Sequence, residues 1–167
     1  FPTIPMVNLQ RPVDTPDGEK TARFSVARVP PGTMAEGRIQ FCQHHTPEVP
    51  WQQRWMTHRN GATALTDILI CVVDVVEAAD RYSRFIGVPA VLGAPGCWLI
   101  ATERGRIVLM DCETMGHVLP GLSPPDLPFM AAFAVACDDL AKVREIVATQ
   151  RLNLIRDDGN VIITAPL

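Results

Sequence analysis

Residues 64–87 read ALTDILICVVDVVEAADRYSRFIG. The first eleven are apolar at nearly every position, the mark of a strand covered on both faces. Asp74 closes that run, and after it the period changes. Val76, Ala79, Tyr82 or Ser83, and Ile86 share one face at helical spacing, and Gly87 supplies a residue that can stop a helix. The segment therefore predicts a buried strand followed by a short amphipathic helix.

The same programme returns downstream. FMAAFAVACDD (residues 129–139) reads as a strand ending in acid, and LAKVREIVATQ (140–150) as a helix with Leu140, Val143, Ile146 and Val147 on one face. Sliding one copy onto the other by 64 residues lays Asp74 on Asp138, Val76 on Leu140, Ala79 on Val143 and Tyr82 on Ile146. Asp74, Asp138 and Asp139 all precede helices, where a carboxylate caps exposed N–H groups with a stabilisation of about 1 kcal/mol. A repeat at this spacing implies one supersecondary unit used twice.

Between the copies, PAVLG, GCWLIATERG and RIVLMDCETM read as three short strands, and GHVLPGLSPPDLP (116–128) as a boundary linker rich in proline and glycine. After the second helix, LNLIRDDGN and VIITAPL read as strands around a turn at Asp158-Gly159. Upstream, residues 1–20 read as irregular chain with a turn signal at DTPDG, and TARFSVARV and RIQFCQHH as an antiparallel strand pair. The expected fold class is α+β: repeated β-α-β-β-β modules pairing into a curled mixed sheet, with the helices outside. Each module alone has too little core to stand. The expected divisions are 1–63, the tail of a preceding module with its connector; 64–120, a complete module; and 128–167, a partial β-α-β-β module. The start on Phe1 rather than Met is expected of a fragment or a trimmed chain.

Composition narrows the functional classes. The 167 residues are 47% apolar and 20% charged, a globular balance. A net charge of −3 with no basic cluster argues against a sequence-independent hold on nucleic acid. No apolar run reaches the roughly 20 residues of a membrane helix, and the first residues have no signal-peptide core. The five cysteines show no CxxC or zinc-ribbon spacing and read as buried thiols of a cytoplasmic protein. There is no GxSxG, P-loop or GxGxxG motif to support a hydrolase, NTPase or dinucleotide reading.

Residues 41–62, FCQHHTPEVPWQQRWMTHRNGA, hold three of the four histidines and two of the three tryptophans. His44 and His45 point to opposite faces if their strand continues, so they cannot easily share an ion. Trp51 and Trp55, four apart, would share a face of one helical turn, either as the floor of an apolar pocket or as a plug between modules. His58 to Ala62 reads as a turn, with Asn60-Gly61 allowing positive φ. His117 sits in the Gly/Pro linker and reads as solvated.

Strand, helix and three strands, repeated over residues 64–167, resembles the vicinal oxygen chelate superfamily of glyoxalases, bleomycin-resistance proteins and extradiol dioxygenases. The segment RIQFCQHHTPEVPWQQRWMTHRNGATAL resembles the FCxHxTPExxW and HPNGA segments of a branch of glyoxalase-like domain proteins, with Arg59 where the branch has Pro. RPVDTPDGEKTARFSVARVPPG resembles what precedes them. The resemblance implies a small-molecule pocket with His44, Trp51, Trp55, His58 and Asn60 as substrate-binding residues and His44 as a divalent-metal ligand. It also implies metal-assisted lyase, isomerase or dioxygenase chemistry, in which the ion polarises vicinal oxygens. The first strands of both repeats lack the His or Glu that such a metal set would need, and only Asp111 and Glu113 on RIVLMDCETM offer carboxylates. A second reading is therefore a non-catalytic binding module of the bleomycin-resistance type. A third is a structural dimerisation module, since a truncated repeat leaves a sheet edge for a second copy to cover. A homodimer is expected.

Overall fold

The structure, a computed structural model, describes residues 1–157 and 159–164. It divides into two compact units, Phe1–Thr57 and His58–Leu167.

The first unit is a three-stranded antiparallel sheet in the order β1 (Val7–Thr15), β2 (Gly18–Arg28) and β3 (Gln40–His44). β1 corrects the expectation of irregular chain over residues 1–20. It is mostly exposed, and Arg11 interrupts the alternation of Val7, Leu9 and Val13 with polar neighbours, yet it pairs with β2 along its whole length. Its Pro12 is tolerated because β1 lies at the sheet edge. Thr15, buried, closes the hairpin by donating from its hydroxyl to the Gly18 carbonyl at 2.6 Å. The expected pairing of the next two strands is present, with Phe24 opposite His44. A single short turn of helix, α1 (Gln53–Met56), ends the unit.

The second unit is α+β, built on a mixed five-stranded sheet. In chain order it comprises β4 (Ala62–Cys71), α2 (Val75–Ile86), β5 (Val91–Ala94), β6 (Cys97–Ala101), β7 (Arg106–Met110), α3 (Cys112–Val118), β8 (Phe129–Cys137), α4 (Leu140–Thr149), β9 (Asn153–Asp157) and β10 (Val161–Thr164). The sheet order is β5-β6-β7-β4-β8. β5, β6 and β7 run antiparallel in sequence, β7 returns parallel to β4, and β8 lies antiparallel on the other side of β4. β9 and β10 pair with each other in a separate two-stranded sheet. Asp158 of the expected turn, and residues 165–167 of the expected last strand, fall outside the described residues.

α2 and α4 both start as their aspartates dictate. The Asp74 carboxylate accepts from the N–H groups of Val76 and Glu77, and Asp139 from those of Ala141 and Lys142. The second cap is thus Asp139, not Asp138, and the two strand-helix segments align at 65 residues rather than 64. β4 and β8 meet in a register centred on the same spacing. Ile68 opposes Phe133, 65 residues on, flanked by Asp67 against Ala134 and Leu69 against Ala132. A half-turn about the central pair exchanges these flanking pairs. Gly87, with φ of 78°, ends α2, and its N–H donates to the Ser83 carbonyl.

Alternation along the strands divides the core in two. Cys71, Val108 and Met110 point to the face covered by Met115 of α3 and by Leu119, which caps its end. Ile70, Leu109 and Ile100, all nearly or fully buried, point to the opposite face, and α2 packs against β6 and β7. Each such side chain contributes about 1.5–3 kcal/mol through loss of apolar surface from water. α2 buries Ala78, Ala79 and Tyr82, so its inner face is turned away from the expected Val76, which is 60% exposed. β4 is also less covered than its composition suggests. Its second half is buried, but Leu65 in the first half is half exposed.

The strand expected over residues 106–115 ends at Met110. The Asp111 carboxylate accepts from the Thr114 N–H, and the chain turns into α3. The cap wins because Asp111 has non-helical backbone torsions, while Met115 and Leu119, four apart, find cover on the sheet. Glu113 and His117 stand exposed on this helix rather than on a strand or in a linker.

Candidate functional site

β3 places His44 at its end, opposite Phe24 on the central strand β2. The two rings meet edge to face with centroids 4.8 Å apart. The chain then folds back. The N–H of Arg23 donates to the Thr46 hydroxyl, Val49 N–H to the Thr46 carbonyl, and Trp51 N–H to the Pro47 carbonyl. This compact turn brings the Trp51 ring to 5.6 Å from the imidazole of His44. Arg11 of β1 lies 5.6 Å from the Phe24 ring centroid, adding a cation to the cluster. His44 is half-buried, and its Nδ1 is shielded from solvent with no hydrogen-bond partner. Trp51 is 45% exposed.

The neighbouring residues have structural duties. His45 turns to the other side, and its Nε2 lies 2.6 Å from the Ser25 hydroxyl, which also donates to the side chain of Asn8. Gln52 is buried. Its amide donates to the carbonyls of Asp14 and Val49, and its side-chain oxygen accepts from Arg54. Arg54 also donates to the Asp14 carbonyl and covers the Trp55 ring at 4.6 Å. The connector is thereby tied to the β1–β2 turn.

The expected site residues fall into three places. His44 and Trp51 come together, with Phe24 as an unanticipated third ring. Trp51 and Trp55 do not share a helical turn, because α1 begins only at Gln53; Trp55 instead packs with Arg54. His58 and Asn60 belong to the second unit and make a turn. The Gly61 N–H donates to the His58 carbonyl, and Asn60 accepts from the Ala62 N–H at 3.2 Å.

The fit to a metal is poor. The rings in contact with His44 are carbon-faced, and a divalent ion needs several N, O or S donors at about 2.0–2.3 Å. Among the described residues no group of three His, Cys, Asp or Glu side chains could hold a metal ion. Asp111, one of the carboxylates considered from sequence, is committed to capping α3.

One charged pair escaped the sequence reading. Asp67 lies in β4, buried, directly opposite Arg106 of β7, whose Nε donates to its carboxylate at 2.6 Å. Burial pushes the Asp67 carboxyl up. The bonds from Arg106 and Thr66 and the Arg106 charge together outweigh it and hold the carboxyl below its ordinary value. The available signal was an acid inside an otherwise apolar run.

Two shallow concavities lie in the second unit. One, of about 360 Å³, is lined by Val147, Leu152, Leu154 and Val161 among others, and one, of about 250 Å³, by Val76, Ala79 and Trp98 among others. Neither brings together groups for acid–base or nucleophilic work; the Asp80 of the smaller one is ion-paired with Arg84.

No helix of the described residues is long and apolar enough to cross a membrane. No curated protein and no solved structure matches the chain. A family model does match, that of the glyoxalase-like domain, over residues 6–86. It spans the three-stranded sheet, the connector and the first strand-helix pair, and it stops with the last residue of α2. Residues 6–86 are therefore similar to the glyoxalase-like domain, a member of the vicinal oxygen chelate superfamily.

Proposed function

We propose that this chain is a glyoxalase-like small-molecule-binding protein whose ligand contacts the rings of Phe24, His44 and Trp51. One observation carries the reading: a solvent-shielded Nδ1 without a partner on His44, between two aromatic rings. Buried polar atoms are almost always paired, and an orphan next to a partly exposed tryptophan invites a ligand oxygen or nitrogen. The aromatic faces and the Arg11 cation favour a flat, oxygen-bearing compound. The match over residues 6–86 includes all three rings.

Binding without metal-assisted chemistry, in the manner of the bleomycin-resistance proteins, suits this cluster better than catalysis. The reason is the missing donor set around His44. We read β4–α2 and β8–α4 as two copies of one unit, which the 65-residue alignment of caps and pairing register supports. We further propose a homodimer, because β8 ends its sheet and, among the described residues, has no second neighbour; a cytoplasmic location is proposed from the cysteine spacing alone. Trp55 remains a proposed contact to this ligand, and His58 and Asn60 remain proposed ligand contacts of the second unit.

Catechol, which carries vicinal oxygens, is a direct probe, read by tryptophan fluorescence. The expected result is saturable quenching that His44→Ala weakens at least tenfold and that Trp51→Phe removes from the signal. Identical titrations of the native protein and His44→Ala would refute the site. Dependence of binding on added Zn²⁺, lost in His44→Ala, would favour the metal reading instead.

A further inference from the structure

Three of the five cysteines gather on the face of the second unit's sheet that α3 covers. Cys71 ends β4 and is fully buried; Cys97 starts β6; Cys112 is the first residue of α3 and is exposed. Met110 pairs with both Cys71 and Cys97 across the strands, so the two flank the point where the chain leaves the sheet for α3. The Cys71 and Cys112 sulfurs stand 3.6 Å apart. We propose that Cys71 and Cys112 are a peroxide-sensitive thiol pair that closes to a disulfide and pins α3 to β4.

The geometry distributes the roles. Cys112 meets solvent, so it meets the oxidant first. Cys71 has no access of its own, and burial, then the Cys112 thiol, then the Asp111 charge push its thiol up to about 12. It therefore stays protonated and waits as the resolving group. Its sulfur is already in van der Waals contact with Cys112. A disulfide requires closure to roughly 2.05 Å, which rotation of the Cys112 side chain at an exposed position can supply.

The Cys112 thiolate attacks one oxygen of a hydroperoxide. The O–O bond breaks, the alcohol leaves after taking up a proton, and Cys112 becomes a sulfenic acid. The Cys71 sulfur then attacks the Cys112 sulfur, giving up its proton as the S–O bond breaks and water departs. Two thiols have lost two electrons and two protons, and the hydroperoxide has been reduced to alcohol and water. Dithiol reductants reverse the bond by exchange.

The link joins residues 41 apart in sequence. It acts on a seven-residue helix that packs on the sheet through Met115 and its C-terminal cap residue Leu119. Reduced, such a short helix can lift from the sheet; oxidised, its first residue is fastened to β4. Cys42 and Cys137 take no part. Cys42 belongs to the other unit, and Cys137 lies at the far end of β8, opposite Ala62 at the start of β4.

The test is hydrogen peroxide treatment of the purified full chain, alkylation of the remaining thiols, and peptide mapping by mass spectrometry. The expected result is a loss of two thiols per chain and a Cys71–Cys112 linked peptide that dithiothreitol releases. Cys97→Ser should keep the link, and Cys112→Ser should abolish it. In Cys71→Ser, Cys112 should instead be trapped by dimedone as its sulfenic acid. Hydrogen exchange over residues 112–118 should slow about tenfold on oxidation. A Cys97–Cys112 link, disulfides between chains, or passage of Cys112 straight to sulfinic acid in the native protein would overturn the pair. Unchanged exchange would overturn the pinning. The mapping of the native protein decides the matter even if a cysteine variant does not fold.

Discussion

Replacing Arg106 with leucine removes the cation that bonds Asp67. The carboxylate of Asp67 has a side chain only 10% exposed, whereas that of Arg106 is 54% exposed. Breaking a fully buried ion pair costs about 3–5 kcal/mol, because the remaining charge is left dry. Here water reaches the arginine side of the pair, and Thr66 still bonds Asp67, which lowers the figure to about 2 kcal/mol.

The cost has a defined pH dependence. In the native protein the Asp67 carboxyl lies below its ordinary value, so its contribution is complete above the unfolded value near 3.8 and fades as pH falls through the folded one. In Arg106→Leu burial dominates and raises the folded value. The penalty is then full at neutral pH and disappears as the acid takes up its proton. The gap between the two proteins should be about 2 kcal/mol at pH 7 and narrow as pH falls below the unfolded value near 3.8 and through the lower folded one. Urea unfolding at several pH values, followed by far-UV circular dichroism, measures it. Asp67→Asn and the double variant complete a cycle whose coupling should be about 1–2 kcal/mol. A variant as stable as the native protein at pH 7, or a gap that does not change with pH, would refute this account of the pair.

Asp74→Ala and Asp139→Ala should each cost about 1 kcal/mol by uncapping α2 and α4, while Asp138→Ala leaves α4 capped; thermal melts of the three variants rank them. Gly61→Ala should cost about 1–3 kcal/mol, because Gly61 has φ of 69° and a Cβ there would collide with the Asp138 carboxylate. Adding Asp138→Ala should recover only the collision, leaving the backbone strain, as denaturant midpoints would show. Ile100→Ala, at a position with no solvent exposure, should cost about 2–5 kcal/mol and lower the urea midpoint accordingly.

Period and punctuation made the second unit's skeleton legible. The largely apolar run of β4, the helical spacing after Asp74 and the glycine at position 87 gave the strand, the helix and its stop, although β4 is covered only in part and the inner face of α2 is turned from Val76. β1 was hidden because its alternation of Val7, Leu9 and Val13 is broken at Arg11 and set among prolines, and its hydrogen bonds depend on β2. α3 was hidden because Asp111, Cys112 and Glu113 continue an alternating pattern; only cover for Met115 and Leu119 makes a helix the better choice. The choice between Asp138 and Asp139 turned on which carboxylate reaches the helix N–H groups, and that is a matter of one residue of phase. At the candidate site, the sequence marked His44 and Trp51 but not Phe24, whose place beside them follows from the β2–β3 register. The separation of Trp55 from Trp51 likewise follows from a helix that starts two residues late.

Cross-strand nuclear Overhauser contacts in the isotopically labelled protein test the central claim, that two like strand-helix units meet edge to edge through β4 and β8. Antiparallel backbone contacts should join Ile68 to Phe133, Asp67 to Ala134 and Leu69 to Ala132. Parallel contacts, a register displaced from the Ile68–Phe133 centre, or no contact between the two strands would contradict it.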